Sequence, residues 1–431
     1  MSDIVTGRVF QDGEKGITAQ KLNDITASSV IQPSFYTSKP TASTADPPDV
    51  MLLLKAGAYT QVPVSTLASS LSNAAIWSVR LRSFNAIGNP NFEVDQRNGG
   101  LVITSAPQGF IQDRWFLGKS GTMAVNSSGN QAGPIVVPGT SFNITNSNRN
   151  LVLTTQQSSL AATNALHFYQ LVEGTSWREL AGDVTSISLL VYTSVAGLQF
   201  SVYLRSSDTT VSLVKLCTVP AANTWTLISL PNIPKPTGGV FSINSGILSY
   251  YLGICLAAGS TFIAPVADTW QNGNFLGAPG MSNWAGSPVN STFYCAFVQH
   301  EPGPVCSTLM DKPFTQNLDE CLRYYAKGGY NYGTKPGTAG FAGGYHVATS
   351  ANAANPRANL SWPKPMANVP TVSIWAIDGT ANAVTDDVSG GAWPVTGAGG
   401  VSSMGMGHII LSGTPTASRI WQFHYAADTG W

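Results

Sequence analysis

Between residues 84 and 305, apolar side chains recur at every second position in short runs, and Gly, Asn, Ser and Pro interrupt those runs at frequent, irregular intervals. Such alternation places one face of an extended strand in a core and the other in water. Residues 184–192, 198–204 and 225–230 carry it most cleanly, so the region reads as all-β. Further strand-like runs at 371–377, 408–411 and 420–425 stand among Gly-rich loops and predict a second, smaller β-sandwich. Helical periodicity is confined to three short stretches: 18–25, with Thr18 placed to cap it; 65–71, where Leu67 and Leu71 share a face; and 318–325. Residues 50–55 and 59–64, on either side of a turn at Gly57, predict a hairpin after the Pro-rich break at 39–49.

These patterns divide the 431 residues into four segments. They are a polar leader at 1–45, a short stem of hairpin and helix at 46–83, the larger sandwich at 84–305 and the smaller at 306–431. The stem is too small to bury its apolar side alone. Packing against identical copies about a threefold axis would bury it, so a homotrimer is expected.

Composition narrows the function classes. Only 10% of residues are charged, against roughly 25% in an ordinary soluble protein. Ser, Thr, Asn and Gln must therefore build the surface, which suits a rigid, exposed β-protein. Lys plus Arg and Asp plus Glu number 22 each, so no net field draws in nucleic acid. The five cysteines show neither CxxC nor Cys/His spacing and read as small buried apolar groups. The first residues lack the basic start and apolar core of a secretory signal, and no apolar run reaches 18 residues. Membrane insertion is not expected.

Catalytic chemistry is sparse. There is no GxSxG, HExxH or P-loop pattern, and the five histidines are scattered. Asp319-Glu320 and Asp386-Asp387 are the obvious carboxylate neighbours, but adjacent residues on a strand point to opposite faces and do not converge. We assign no catalytic residue, metal ligand or cofactor. Binding chemistry is better represented, because a pyranose stacks on aromatic rings while amide and carboxylate side chains satisfy its hydroxyls. Three loops set rings among Gly, Asn and Pro: those of Trp284, of Tyr330 with Tyr332, and of Trp393. Each ring either stacks on a sugar or plugs the end of a sandwich or a trimer interface. Tyr330, Tyr332 and Trp393 are the leading receptor- or glycan-binding candidates because they lie in the distal segment, and Trp284 follows them.

A set of ordered marks adds to this reading. Asn89, Phe92 and Gln96-Arg97 are followed by Asp113-Arg114-Trp115, Gln170-Leu171-Val172-Glu173-Gly174, Phe297-Val298-Gln299-His300-Glu301-Pro302-Gly303 and Cys321-Leu322-Arg323-Tyr324-Tyr325. Together they resemble bacteriophage tail or appendage fibre proteins with a carbohydrate-binding-like jelly-roll module. Asp95 departs from the pattern, standing on the first strand where that family commonly carries Trp. In the distal segment, Trp362 and Met366 resemble a family step that usually begins with Phe. Residues 13–23 resemble the pieces that attach such fibres to the particle; a terminus with no partner is the other reading of that segment.

The resemblance implies a non-enzymatic virion protein, made in the host cytoplasm without a signal peptide. It implies attachment to other virion proteins through residues 1–45, self-association as a homotrimer, and binding of host cell-surface polysaccharide or receptor during adsorption. A head or tail fibre that decorates the particle without being the primary receptor binder is the alternative. A glycan depolymerase is a third reading, weakened by the absence of β-helix repeats.

Overall fold

The computed structural model describes residues 50–55, 58–63, 84–130, 135–140, 143–144, 148–180, 184–340, 343–349 and 354–431. The chain divides into two units, Met1–Ser78 and Val79–Trp431. In the first, β1 (Val50–Lys55) and β2 (Ala58–Pro63) pair antiparallel from Val50 opposite Pro63 to Lys55 opposite Ala58, as the alternation there predicts. The helices expected at 18–25 and 65–71 lie outside the described residues.

The second unit is nearly all β. Its first part runs through β3 (Gly109–Gln112), β4 (Trp115–Ser120), β5 (Ala124–Asn130), β6 (Ile135–Val136), β7 (Asn143–Ile144), β8 (Asn148–Thr155) and β9 (Ala165–Glu173). After one short helix, α1 (Gly174–Leu180), come β10 (Val184–Thr193), β11 (Leu198–Ser206), β12 (Val211–Val219), β13 (Thr226–Pro234), β14 (Leu248–Ala258), β15 (Trp270–Asn272) and β16 (Thr292–Pro302). Two antiparallel sheets result, ordered β13-β10-β16-β8-β5 and β15-β12-β11-β14-β9-β4-β3. Most neighbours are not consecutive in sequence, β3–β4 and β11–β12 being the exceptions, which is the mark of a jelly-roll sandwich.

The sheets enclose a core in which Trp115, Phe168, Phe200 and Phe293 are buried with Leu189, Val202 and their neighbours. Strand β9 shows how the sequence dictates this. Leu166, Phe168 and Val172 point inward, whereas His167, Tyr169 and Leu171 are half-buried on the outer face.

The distal part begins with α2 (Phe314–Leu322) and β17 (Tyr325–Gly328), followed by β18 (Tyr345–Thr349), β19 (Arg357–Ser361), β20 (Thr371–Trp375) and β21 (Ala383–Asp386). It ends with β22 (Ala392–Gly399), β23 (Gly405–Leu411) and β24 (Arg419–Asp428). Long strand β24 turns the corner of this smaller sandwich: its first half pairs with β18 and β21, its second with β17 and β20. Trp421, Phe423 and Tyr425 alternate inward from it onto Trp362, Met366, Ile374 and Ile409.

Two expectations are corrected. The helix predicted at 318–325 starts earlier, after Pro313, and ends at Leu322, because Tyr325 pairs with Asp428 in the distal sheet. The first strand expected around Asp95 is instead a series of turns. There the Asp95 carboxylate accepts from the backbone N–H of Asn98 (3.1 Å) and Gly100 (3.1 Å), a local bonding pattern that competes with strand pairing.

Candidate functional site

The aromatic residues singled out in the sequence occupy different environments. Trp284 is fully buried and belongs to the jelly-roll core, so it presents no ring to a ligand. This corrects the expectation for Trp284: its Gly/Asn-flanked segment folds inward as a single 3-10 turn over Trp284–Gly286. Tyr332 is 38% exposed, but its ring stands edge-on to Phe314 at 5.2 Å and its hydroxyl accepts from the Asp95 N–H at 3.0 Å. Tyr330 packs on His424 (4.2 Å) and near Trp375 (6.4 Å), with its hydroxyl accepting from the Gly337 N–H at 2.8 Å. Trp393 is half-buried against Trp421 at 5.5 Å. Because Trp421 and His424 alternate to opposite faces of β24, Trp393 and Tyr330 pack on opposite faces of the distal sheet. The three distal rings do not converge on one site.

The ordered motifs do converge, and they form the junction between the two sandwiches. Phe92 stacks on Trp115 (4.7 Å, 27°), whose indole N–H donates to the Asn89 carbonyl at 3.0 Å. The Asn89 amide donates to the Val94 and Asp113 carbonyls, while Gln96 Nε2 donates to the Asp113 carboxylate at 2.9 Å and to the Tyr325 carbonyl at 3.3 Å. Arg97 lies between the rings of Phe110 (3.8 Å) and Tyr325 (4.2 Å) and is paired with Asp428 and Asp113. Gln170 brackets Gly88 by accepting from its N–H and donating to its carbonyl, both at 2.8 Å.

Glu173 receives Arg323 through two bonds (2.9 and 2.5 Å), the Tyr324 hydroxyl (2.6 Å) and the Gly246 N–H (2.5 Å). Burial alone would raise this carboxyl, but the hydrogen bonds from Arg323, Tyr324 and Gly246 outweigh it and bring it down to about 2. At Asp113 the balance is opposite. Burial raises it to about 6 despite Arg97, with Asp95 adding to the rise. Each of these hydrogen bonds and ion pairs joins one part of the chain to another, so the cluster's chemistry is structural.

A surface suited to recognition stands instead on the outer face of the seven-stranded sheet. Strands β3, β4, β9, β14 and β11 present Phe110, Phe116, Tyr169, Tyr251 and Arg205 in sequence across that face. Ring centroids step by 5.2, 5.2 and 5.7 Å from Phe110 to Tyr251, and the Arg205 guanidinium lies 4.1 Å over the Tyr251 ring. All four rings are half-buried. His167 lies nearly parallel to Tyr169 (5.1 Å, 15°), and its Nδ1 is 2.7 Å from the Tyr203 hydroxyl. Burial, with Arg205 adding, lowers the His167 imidazole to about 3, so it is neutral at physiological pH.

Two glycines make the arrangement possible. A Cβ on Gly253 would lie 2.3 Å from Tyr203 Cζ, and one on Gly118 would lie 2.2 Å from His167 Nε2. This row leaves no local signature in the sequence because its members come from five strands spread over about 140 residues. The usable signal was an aromatic residue on the outward phase of an alternating strand, as at Phe116, Tyr169 and Tyr251. A smaller trio, Tyr192, Trp225 and Tyr294, lies on the other sheet with centroids 5.1–6.3 Å apart. Among the described residues, no group of three or more His, Cys, Asp or Glu is placed to hold a metal ion.

No protein-family model matches this chain, and no curated protein does. Solved structures with similar layering include TmCBM61 in complex with β-1,4-galactotriose, at 11% identity over 51% of this chain and 98% of that one, with a TM-score of 0.25. A family 11 carbohydrate-binding module from Clostridium thermocellum, in complex with a mixed-linked tetrasaccharide, aligns at 9% identity over 45% of this chain and 91% of that one, with a TM-score of 0.25. Discoidin II of Dictyostelium discoideum aligns at 10% identity over 63% and 79%, with a TM-score of 0.15. At such scores neither ligand nor site transfers to this chain.

Proposed function

We propose that this chain is a virion fibre protein that binds host cell-surface glycan through the outer face of its jelly-roll sandwich. The observation that carries the binding role is the row Phe116, Tyr169 and Tyr251, half-buried rings spaced 5–6 Å apart on a rigid sheet, with Phe110 closing its end under Arg97. Rings so held lose little freedom on binding, and a saccharide presents apolar faces to them and hydroxyls to their rims. The fibre role is supported by the ordered motifs that resemble phage fibre proteins and by the scarcity of charge. In this reading residues 1–45 attach to the particle and three chains associate. Several weak sites per fibre then combine into firm adsorption.

The test uses purified protein and host cells. Wild-type protein is expected to bind the cells and compete with phage adsorption. Tyr169→Ala and Tyr251→Ala are each expected to weaken binding by roughly tenfold, the scale of one lost stacking contact. Trp225→Ala, on the opposite sheet, serves as the control. Cell binding that survives the double variant Tyr169→Ala/Tyr251→Ala would remove the row from the function.

A further inference from the structure

The positive charge at the end of the aromatic row has no counter-charge. Arg205 is 9% exposed, yet among the described residues no carboxylate lies within ion-pair distance of it. Arg97 and Arg149, whose side chains are buried, and the half-buried Arg323 each face an Asp or Glu. Arg114 also lacks such a partner, but it is 4% exposed and enclosed at the junction under Tyr324, 3.5 Å from its ring. The Arg205 guanidinium donates once, from Nη1 to Asn274 Oδ1 at 2.6 Å, and rests on the Tyr251 ring; its Nε is buried without a partner. A buried cation lacking a counter-charge carries a desolvation cost that an incoming anion relieves. His167, the titratable neighbour across the row, is neutral and adds no second positive charge.

From this geometry we infer that the row takes an acidic glycan, with the oxyanion of a sugar carboxylate or sulfate seated on Arg205 while neighbouring sugar rings pack along the exposed rims of Tyr251 and Tyr169. The inference rests on the glycan-binding reading above and adds the ligand's charge class to it. Guanidinium matches either oxyanion by charge-assisted hydrogen bonds. The Asn274 side-chain amide oxygen holds the group in place.

Full-length protein is applied to an array of neutral, uronate-bearing and sulfated oligosaccharides. Calorimetry then compares the best acidic binder with its carboxyl-reduced or desulfated form. The acidic form is expected to bind at least roughly tenfold tighter, the scale of one charge-assisted hydrogen bond, and Arg205→Gln is expected to bring that ratio close to one. Whether the array favours uronates or sulfates identifies the source of the anion. Salt dependence of wild-type binding supplies a readout that needs no variant. Affinity for the acidic sugar should fall between about 0.05 and 0.5 M salt, while affinity for its neutral form holds. Equal binding of acidic and neutral forms, or a preference retained in Arg205→Gln, overturns the inference and leaves glycan binding standing. Binding to no saccharide overturns both.

Discussion

Glu173 and Asp113 lie in one junction and are displaced in opposite directions, which gives the protein a legible pH response. The Glu173 carboxyl falls from 4.5 to about 2 on folding, so its contribution is complete above pH 4.5 and is lost as pH falls toward 2. That shift corresponds to on the order of 3 kcal/mol. Asp113 rises from 3.8 to about 6, so the folded form binds its proton first and its contribution increases as pH drops from above 6 toward 3.8. His167 and His300, both lowered by burial from 6.5 to about 3, oppose the Asp113 gain and cost stability as pH falls below 6.5, so urea unfolding between pH 2 and 8 is expected to show stability decreasing from about pH 6.5 downward. Relative to wild type, Asp113→Asn should gain stability as pH rises from 3.8 to 6, and Glu173→Gln should flatten the loss between pH 4.5 and 2. Trp284 supplies a contrasting residue: fully buried, it should cost about 3–5 kcal/mol on replacement by Ala, and its ring meets no ligand. Its burial was not legible in Asn283-Trp284-Ala285-Gly286, because a ring among small polar residues has the same local pattern in a loop that folds inward and in one that folds out.

Strands were the readable elements. The hairpin at β1 and β2 and the runs that became β10, β11, β20 and β24 lie where alternation puts them, although β10 and β11 are buried at nearly every position because loops cover their outer faces as well. Helix α2 was displaced toward its start because a partner strand captured Tyr325, an interaction with residues about 100 positions away. The turns at 84–100 escaped for a related reason. Phe92 and, farther along, Arg114 adopt left-handed backbone conformations (φ 55° and 72°) that cost about 1–3 kcal/mol each and are held only by contacts between distant motifs. On the outer sheet face, Gly253 belongs to strand β14 as a gap that Tyr203 fills. Gly253→Ala should displace Tyr203 from His167, lower stability by about 1–3 kcal/mol and weaken glycan binding, measurable by thermal unfolding and calorimetry on the same sample.

At the scale of the molecule, the two sandwiches share one unit, Val79–Trp431, joined through Arg97–Asp428 and Glu173–Arg323–Tyr324. Buried charges with several partners make such a junction cooperative, since removing one side strands the other. Calorimetry on residues 79–431 is expected to give a single transition. Splitting into two is expected once Arg97→Met and Glu173→Gln are combined. The homotrimer expected from the stem is checked by native mass spectrometry of the full chain, where a stable monomer at micromolar concentration would contradict it.

The sequence by itself determined the class of the fold, the position of most long strands and the low-charge, polar surface, because alternation and composition are properties of the chain read locally. It also marked Asn89, Phe92, Gln96-Arg97, Asp113-Arg114-Trp115, Glu173 and Arg323-Tyr324-Tyr325 without saying what they do together. Only the tertiary structure decided that these marks meet in one structural junction, that Trp284 is core, and that Phe116, Tyr169, Tyr251 and Arg205 line up on one face. The physical reason is the same in each case. Register and sheet order bring together residues up to about 330 positions apart, and proximity of that kind leaves no periodic trace along the chain.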